Sequence, residues 1–446
     1  MKASDKYTPV RFSHLTAYAG VGSIVRDNND FLMVVTDTRF WKSKRRKDIT
    51  TPIRFVERVK KHLEVSKDLH MPPTAQINIS GDFELLGNPI PAVIFPSYAK
   101  CKSCNRLHHK PWYGLDNDIS KNLTCHHCRT PSLEQVTWCA VSSAGDLRDV
   151  PWHFICHKQS AGKCEPDYSA VYLEIVSGNR GKKIVRCSKC GANNTFEQQD
   201  MSFDKSYQPW LKAYSRADES KIFTVMEIND PRVYSSKKAR AIVIPPESNV
   251  DKNSVTYKLS CNSVFLKSYK EETRPLRQKK LLQTAANDYR CSVDDIKNAL
   301  ENIENEANDL RAFTSVDMVT DEYKALMAAE DFKEGSDFIT EHKTATWESF
   351  LEDSSLDGEL EKLGALFSNI VAVNRLRVIE VFKGFSRRAS DFESDEADEI
   401  IVPPDITGEL DWLPAIELFG EGIFFTLDES VIEKWESENQ LRLRAS

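Results

Sequence analysis

Short apolar runs separated by polar turns mark the amino-terminal part of the chain. HLTAYAGVGSIVRDNNDFLMVV, residues 14–35, places apolar runs on either side of a glycine turn and an Asp/Asn cluster, the pattern of short strands across residues 8–40. YSAVYLEIV and KKIVR read as the two strands of a hairpin, and ARAIVIPPE as a strand ended by two prolines within a β-rich stretch at 232–270. From about residue 292 the period changes. Ser292 with Asp295 gives a helix start signal, and Ile296, Ala299, Leu300, Ile303, Ala307 and Leu310 trace one apolar face. A further helix is expected over roughly 356–383, and the acidic DFESDEADE run at 391–399 is expected to be a loop. The expected class is α+β. A β-rich module (1–96) is followed by a tandem zinc-ribbon module (97–200), a β-rich segment (201–280), and a helical and mixed module (281–446).

Composition narrows this picture. The chain has 446 residues, 40% of them apolar, so it can bury a sizeable core. Its opening MKASDKYTPVRF is polar, with no apolar run after it of the kind a signal peptide needs. No apolar stretch reaches the eighteen or so residues of a membrane span, and a cytoplasmic protein without membrane partners is expected. Eleven cysteines in such a compartment point to metal binding before disulfides. The net charge of -7 excludes a uniformly basic nucleic-acid binder and leaves room for a local basic face.

The cysteines fall into sets. CKSCNRLHHKPWYGLDNDISKNLTCHHC, residues 101–128, carries two Cys-x-x-Cys knuckles, each able to bring two thiolates onto one tetrahedral zinc ion. Cys101, Cys104, Cys125 and Cys128 are the expected ligands, with His108, His109, His126 and His127 as spare candidates expected mostly to be solvated loop residues. In CHKQSAGKCEPDYSAVYLEIVSGNRGKKIVRCSKCGA, Cys187 and Cys190 form a third knuckle followed by Gly191. Cys156, His157 and Cys164 offer three ligands for the two remaining places of a second zinc site. Cys139, Cys261 and Cys291 stand alone and read as core thiols. Four cysteines close the first site, so catalysis by its zinc ion is not expected.

Two other stretches bear on function. The GVGS turn lacks the full glycine-rich pattern and the Lys-Ser/Thr of a phosphate loop, and reads as a tight turn. The basic stretch WKSKRRKDITTPIRFVERVKK either forms a solvated face or contacts phosphates through Lys42, Lys44, Arg45, Arg46 and Lys47. Arg387 and Arg388 form a second basic group, and Trp41 either stacks on a base or packs into its own domain.

Six segments in order resemble the DrmB family. They are RFSHLTAYAGVGSIV, IPAVIFPSYAKCKSC, GDLRDVPWHFICH, VYSSKKARAIVIPP, RLRVIEVFKGFSRR and WLPAIELFGEGIFF. DrmB is a component of DISARM, a defence system against phage. The resemblance implies a helicase partner of the DrmA kind, action on invading DNA alongside a methyltransferase, and His157 as the fourth ligand of the second zinc site. It does not extend to everything. Family members usually continue into a long carboxy-terminal module with its own cysteine cluster, whereas this chain ends soon after Trp435. A family histidine is replaced at Asp146, and the family's PWLG segment is PWLK at Pro209 to Lys212.

The function this implies is a non-catalytic zinc-binding subunit that docks onto a helicase and supports binding of DNA. The competing reading is a DNA-processing enzyme such as a nuclease. Trp412, Glu417 and Glu421 lie in the GEGIF region, where a carboxylate pair could be catalytic, but flanking glycines shaping a turn are the commoner arrangement. No Walker lysine, nuclease Asp/Glu-x-Lys set or nucleophile elbow stands in a convincing context. A free-standing zinc-ribbon regulator is a third possibility, without a helix-turn-helix pattern to support it.

Overall fold

Short strands with buried, β-branched cores assemble the first of two units in the computed structural model. The structure describes residues 7–41, 60–61, 66–78, 84–113, 123–160, 162, 164–178, 182–202, 222–244, 254–260, 262–309, 315–327, 338–343, 366–387 and 400–436. The chain is mixed α+β, with strands dominating its amino-terminal half and helices concentrated later. The first unit takes residues 1–47, 71–238 and 381–414; the second takes 48–70, 239–380 and 415–446.

In the first unit, Ile24–Arg26, Leu32–Val35 and Ala92–Ile94 form an antiparallel sheet. The turn before it needs glycine: Gly22 has φ +76, and a Cβ there would stand 2.7 Å from the Phe385 ring. A second sheet runs Leu147–Asp149, Trp138–Val141, Ile222–Glu227, Gln199–Ser202. Val34, Phe95, Cys139, Leu147, Phe382 and Phe385 share one core, and Cys139 is the buried thiol expected from its isolation. The 400–414 segment is tied in by backbone pairs. Thr38 N–H donates to Pro404 O at 3.1 Å, and the buried Asp37 carboxylate accepts from Ile406 N–H at 2.7 Å.

Two further three-stranded sheets carry the cysteine knuckles. One has Tyr98–Cys101 between Leu107–His109 and Leu133–Gln135; the other has Lys183–Cys187 between Leu173–Ser177 and Asn193–Phe196. The expected hairpin of the second ribbon is therefore present, with Ile175 opposite Val185. The two sheets are joined directly. Ile175 N–H donates to Asn105 O at 3.0 Å, and the Arg106 guanidinium meets the Glu174 carboxylate at 3.3 Å.

The second unit holds a helical group and long strands. Ser292 and Asp295 cap Val293–Asp309 reciprocally: Asp295 N–H donates to Ser292 Oγ at 3.1 Å, and Ser292 N–H to Asp295 Oδ2 at 2.9 Å. Ile296, Ala299 and Ile303 are buried against Leu259, Leu282, Ala285 and Ala286, as the apolar face requires; Leu310 lies outside the described residues. Two expectations are corrected here. Val255–Ser260 and Ser263–Glu271 are helices, and Asn262 caps the second by accepting from Phe265 N–H at 3.0 Å. Over the expected 356–383 helix, the described part is instead a strand, Phe367–Ser386. Asn369, Val371 and Val373 are buried in alternation, and the β-branched run from Ile370 to Val381 suits a pleat better than a helix face. Gly384 in this strand has φ +148, and a Cβ would come within 2.1 Å of Val402 O. The acidic 391–399 run lies outside the described residues. Among the described residues no helix is long and apolar enough to cross a membrane.

Arg387 ends the Phe367–Ser386 strand inside the first unit. Its guanidinium is 2% exposed and donates to Gly145 O at 3.1 Å, to Gly22 O at 2.6 Å and to Val233 O, with its charge over the Phe385 ring. Burial pulls its pKa down to about 10, still far above neutrality. Arg387→Ala should lower unfolding free energy by at least about 3 kcal/mol, since buried carbonyls left without donors cost ~1–3 kcal/mol each. The urea midpoint measures this; an unchanged midpoint would remove the residue from the fold's framework.

Candidate metal centres

The same backbone turn occurs at all three knuckles. Asn105 N–H donates to Cys101 O at 2.9 Å, Arg129 N–H to Cys125 O at 3.0 Å, and Gly191 N–H to Cys187 O at 3.0 Å. The donor residue is left-handed each time, at φ +61, +61 and +76. Cys101 N–H, Cys125 N–H and Cys187 N–H then close the loops onto Arg106 O, Thr130 O and Ala192 O. Each turn folds two cysteine sulfurs toward one point. Gly191 fits the left-handed place without strain, whereas Asn105 and Arg129 occupy it with side chains.

The sulfurs converge as the spacing predicted. Cys101, Cys104, Cys125 and Cys128 form one set and His157, Cys164, Cys187 and Cys190 another, with the ligand atoms of each set within 4.8 Å of one another. Sulfur pairs stand 3.6 Å apart for Cys101–Cys128 and Cys104–Cys125, and 3.9 Å for Cys164–Cys187. A tetrahedron with Zn–S near 2.3 Å has edges of about 3.8 Å, so the donor sets fit zinc. No disulfide joins any of these cysteines.

The choice between Cys156 and His157 follows from the short helix Trp152–His157. His157 Nδ1–H donates to His153 O at 2.7 Å, which leaves the Nε2 lone pair facing the cluster, 3.2 Å from Cys190 Sγ. Cys156 points the other way. It is buried, lies 3.4 Å from Ala192 O, and burial pushes its thiol up to about 12. Cys156 is a core thiol, and His157 is the one of the two positioned to serve as a ligand.

A second layer of donors surrounds the first site. Cys101 Sγ lies 3.1 Å from Ser132 Oγ and Cys128 Sγ 2.9 Å from Thr130 Oγ1. Burial opposes ionisation at Cys101, yet the Ser132 hydroxyl and the N–H groups of Cys104 and Ser103 outweigh it and bring the thiol down to about 5. Thr130 likewise lowers the Cys128 thiol. His108 corrects an expectation: it is 2% exposed, not solvated, with Nε2 3.3 Å from Cys125 Sγ. Burial lowers its pKa to about 4, so the ring is neutral and Nε2–H can donate to the sulfur. The hydroxyl residues of CRTPS, 128–132, were the available signal for the first two of these supporting groups. His126 and His127 are exposed, as expected of loop residues.

Lys42, Lys44, Arg45, Arg46, Lys47 and Arg388 lie outside the described residues. Arg387, expected among the DNA-contacting cations, is the buried carbonyl-bound group described above. Trp41 packs inward, its Nε1–H donating to Thr36 O at 2.9 Å. Glu417 and Glu421 lie in the strand Trp412–Leu427, where Gly420 and Gly422 continue the strand and shape no turn. Cys291 is half-buried beside the helical core, and Cys261 lies outside the described residues.

Purified protein should carry two zinc ions per chain by elemental analysis. Cys101→Ser and His157→Ala should each remove one, whereas Cys156→Ala should keep both; loss of zinc in Cys156→Ala would reverse the ligand assignment. Ser132→Ala should retain the metal but weaken its hold by ~10-fold, the lower end for removing a group that supports a ligand. Competition with a chromogenic chelator reads that change.

Residues 11–235 match the family described as Domain of unknown function (DUF8724). The chain is also similar to the DISARM protein DrmB of Bacillus paralicheniformis, at 24% identity over 425 aligned residues, covering 92% of this chain and 69% of that protein. With its family domain spanning half the sequence and both cysteine clusters within it, this chain belongs to the DUF8724 family and is a member of the DrmB family.

Proposed function

We propose that the chain is a non-catalytic, zinc-binding subunit of a cytoplasmic anti-phage defence complex, which docks onto a DrmA-like helicase and supports binding of invading DNA. The observation that carries this reading is the pair of four-ligand metal centres within a chain similar to a DISARM protein along 92% of its length. A catalytic zinc keeps a coordination place for water or substrate, whereas each centre here has four protein donors. Such centres hold small sheets in shape. They make the ribbons rigid platforms for a partner or for nucleic acid.

Coexpression with a helicase encoded beside it should yield a stable complex in which the helicase's DNA affinity or ATPase rate changes several-fold. The isolated chain should neither hydrolyse ATP nor cut DNA. Nuclease activity that disappears in Glu417→Ala or Glu421→Ala, with zinc content and folding intact, would replace this reading with an enzymatic one.

A further inference from the structure

A cavity of the first unit lies where its ribbons meet the amino-terminal sheet. It encloses about 610 Å³ and is lined from the turn of the first hairpin, from the central strand and the Leu133–Gln135 strand of the first ribbon, and from the second ribbon. That volume falls within the roughly 300–1,000 Å³ usual for ligand sites. Its ionic lining is basic: Arg26, Lys100, Lys102 and Lys183 against Asp30 and Glu134, four cations to two carboxylates. This excess stands out in a chain whose net charge is -7.

The cations differ in how they are held. Lys102 pairs with Glu134 at 3.1 Å, and Lys183 with Glu227 at 2.7 Å. The half-buried Lys100 has no hydrogen-bond or ion-pair partner for its ammonium among the described residues. Arg26 donates through Nη1 to a backbone oxygen, Asp30 O, at 3.1 Å, and its charge has no carboxylate partner among the described residues. A half-buried ammonium without a counter-charge favours an anionic ligand.

Aromatic rings supply the second feature. Phe31, Trp138 and Phe196 line the same cavity. Trp138 and Phe196 pack edge to face at 5.2 Å, and Lys183 Nζ sits 4.4 Å from the Trp138 ring centre. Phe31 is half-buried and leans edgewise on Trp112 at 6.1 Å. Unpaired cations that line one cavity together with aromatic rings are a combination that suits single-stranded nucleic acid, with phosphates on the cations and bases against the rings. Paired bases in a duplex cannot reach rings recessed in such a cavity.

We propose that this cavity is a binding site for single-stranded nucleic acid, with Lys100 and Arg26 holding phosphate and Phe31 and Trp138 contacting a base. It gives the DNA-binding part of the proposed function a location other than the basic stretch at 42–47, and it rests on that reading. Both ribbons contribute to its walls, so the zinc centres support the site's shape without touching the ligand.

The test is fluorescence anisotropy of the full chain with a labelled oligothymidylate across a salt series. The Lys100→Ala/Arg26→Ala double variant, with zinc content unchanged, should bind roughly tenfold more weakly, and its salt slope should fall by about 1.4, ~0.7 per lost phosphate contact. Lys100→Arg should restore most of the affinity. A 4-thiothymidine oligonucleotide should photo-crosslink to peptides containing Phe31 or Trp138. Unchanged binding by the double variant, with loss on replacing Arg45, Arg46 and Lys47, would overturn the cavity while keeping DNA contact. Equal competition by polyglutamate would make it a site for acidic peptides, and equal dependence of duplex binding on these residues would overturn the single-strand assignment. No binding of either DNA by the chain, alone or with its helicase partner, would reject the DNA-binding reading and the cavity together.

Discussion

Four sulfur or nitrogen donors gathered within 4.8 Å are tolerable as thiolates only around a cation, and this requirement occurs twice in the chain. Without the ion the thiolates repel, and protonation of the buried ones leaves only weak S–H contacts. Around these centres the strands are three to five residues long. Sheets this small bury too little apolar surface to hold themselves together. Metal coordination therefore supplements the core beneath the ribbons, and their geometry depends on it.

That dependence spreads through direct contacts between the ribbons. Arg106, two residues after Cys104, donates to Val171 O at 2.9 Å and meets Glu174, while Asn105 O accepts from Ile175 N–H. The first knuckle is thus bound to the central hairpin of the second ribbon. Beneath them Leu107, Trp152, Ile155, Leu173, Val185 and Phe223 form one core, to which the ligand Cys187 also belongs. Losing either metal would loosen contacts made by the other ribbon.

The sequence made the metal chemistry far more legible than the fold. Cys-x-x-Cys pairs encode a local turn, so the ligand set could be read from spacing, and only the Cys156–His157 choice needed the DrmB resemblance. The structure resolves that choice through helix geometry: adjacent residues on Trp152–His157 point about 100° apart, so one faces the cluster and the other the core. The strand Phe367–Ser386 departs from the expected helix because its apolar residues, interrupted by Asn374, Arg375, Arg377 and Glu380, keep no strict period, and the signal for a strand lies in their β-branching. Arg387 was misread for a different reason. Its interior position depends on three carbonyls from Gly22, Gly145 and Val233, which lie far from it in sequence. No local pattern announces such a pocket.

The two centres also differ in charge and setting, and the difference explains their surroundings. Four thiolates on Zn2+ carry a formal charge of −2, whereas three thiolates and a neutral imidazole carry −1. The more negative centre is the more enclosed, with Cys101 and Cys125 fully buried, so it needs donors to its sulfurs. Ser132, Thr130 and His108 stand at three of them. At the less negative centre Cys190 is exposed, and solvent can screen the remaining charge. There the hydrogen-bonding effort goes into the ligand's orientation, through His157 Nδ1–H and the His153 carbonyl. One centre is stabilised by neutralising its sulfurs, the other by fixing its imidazole.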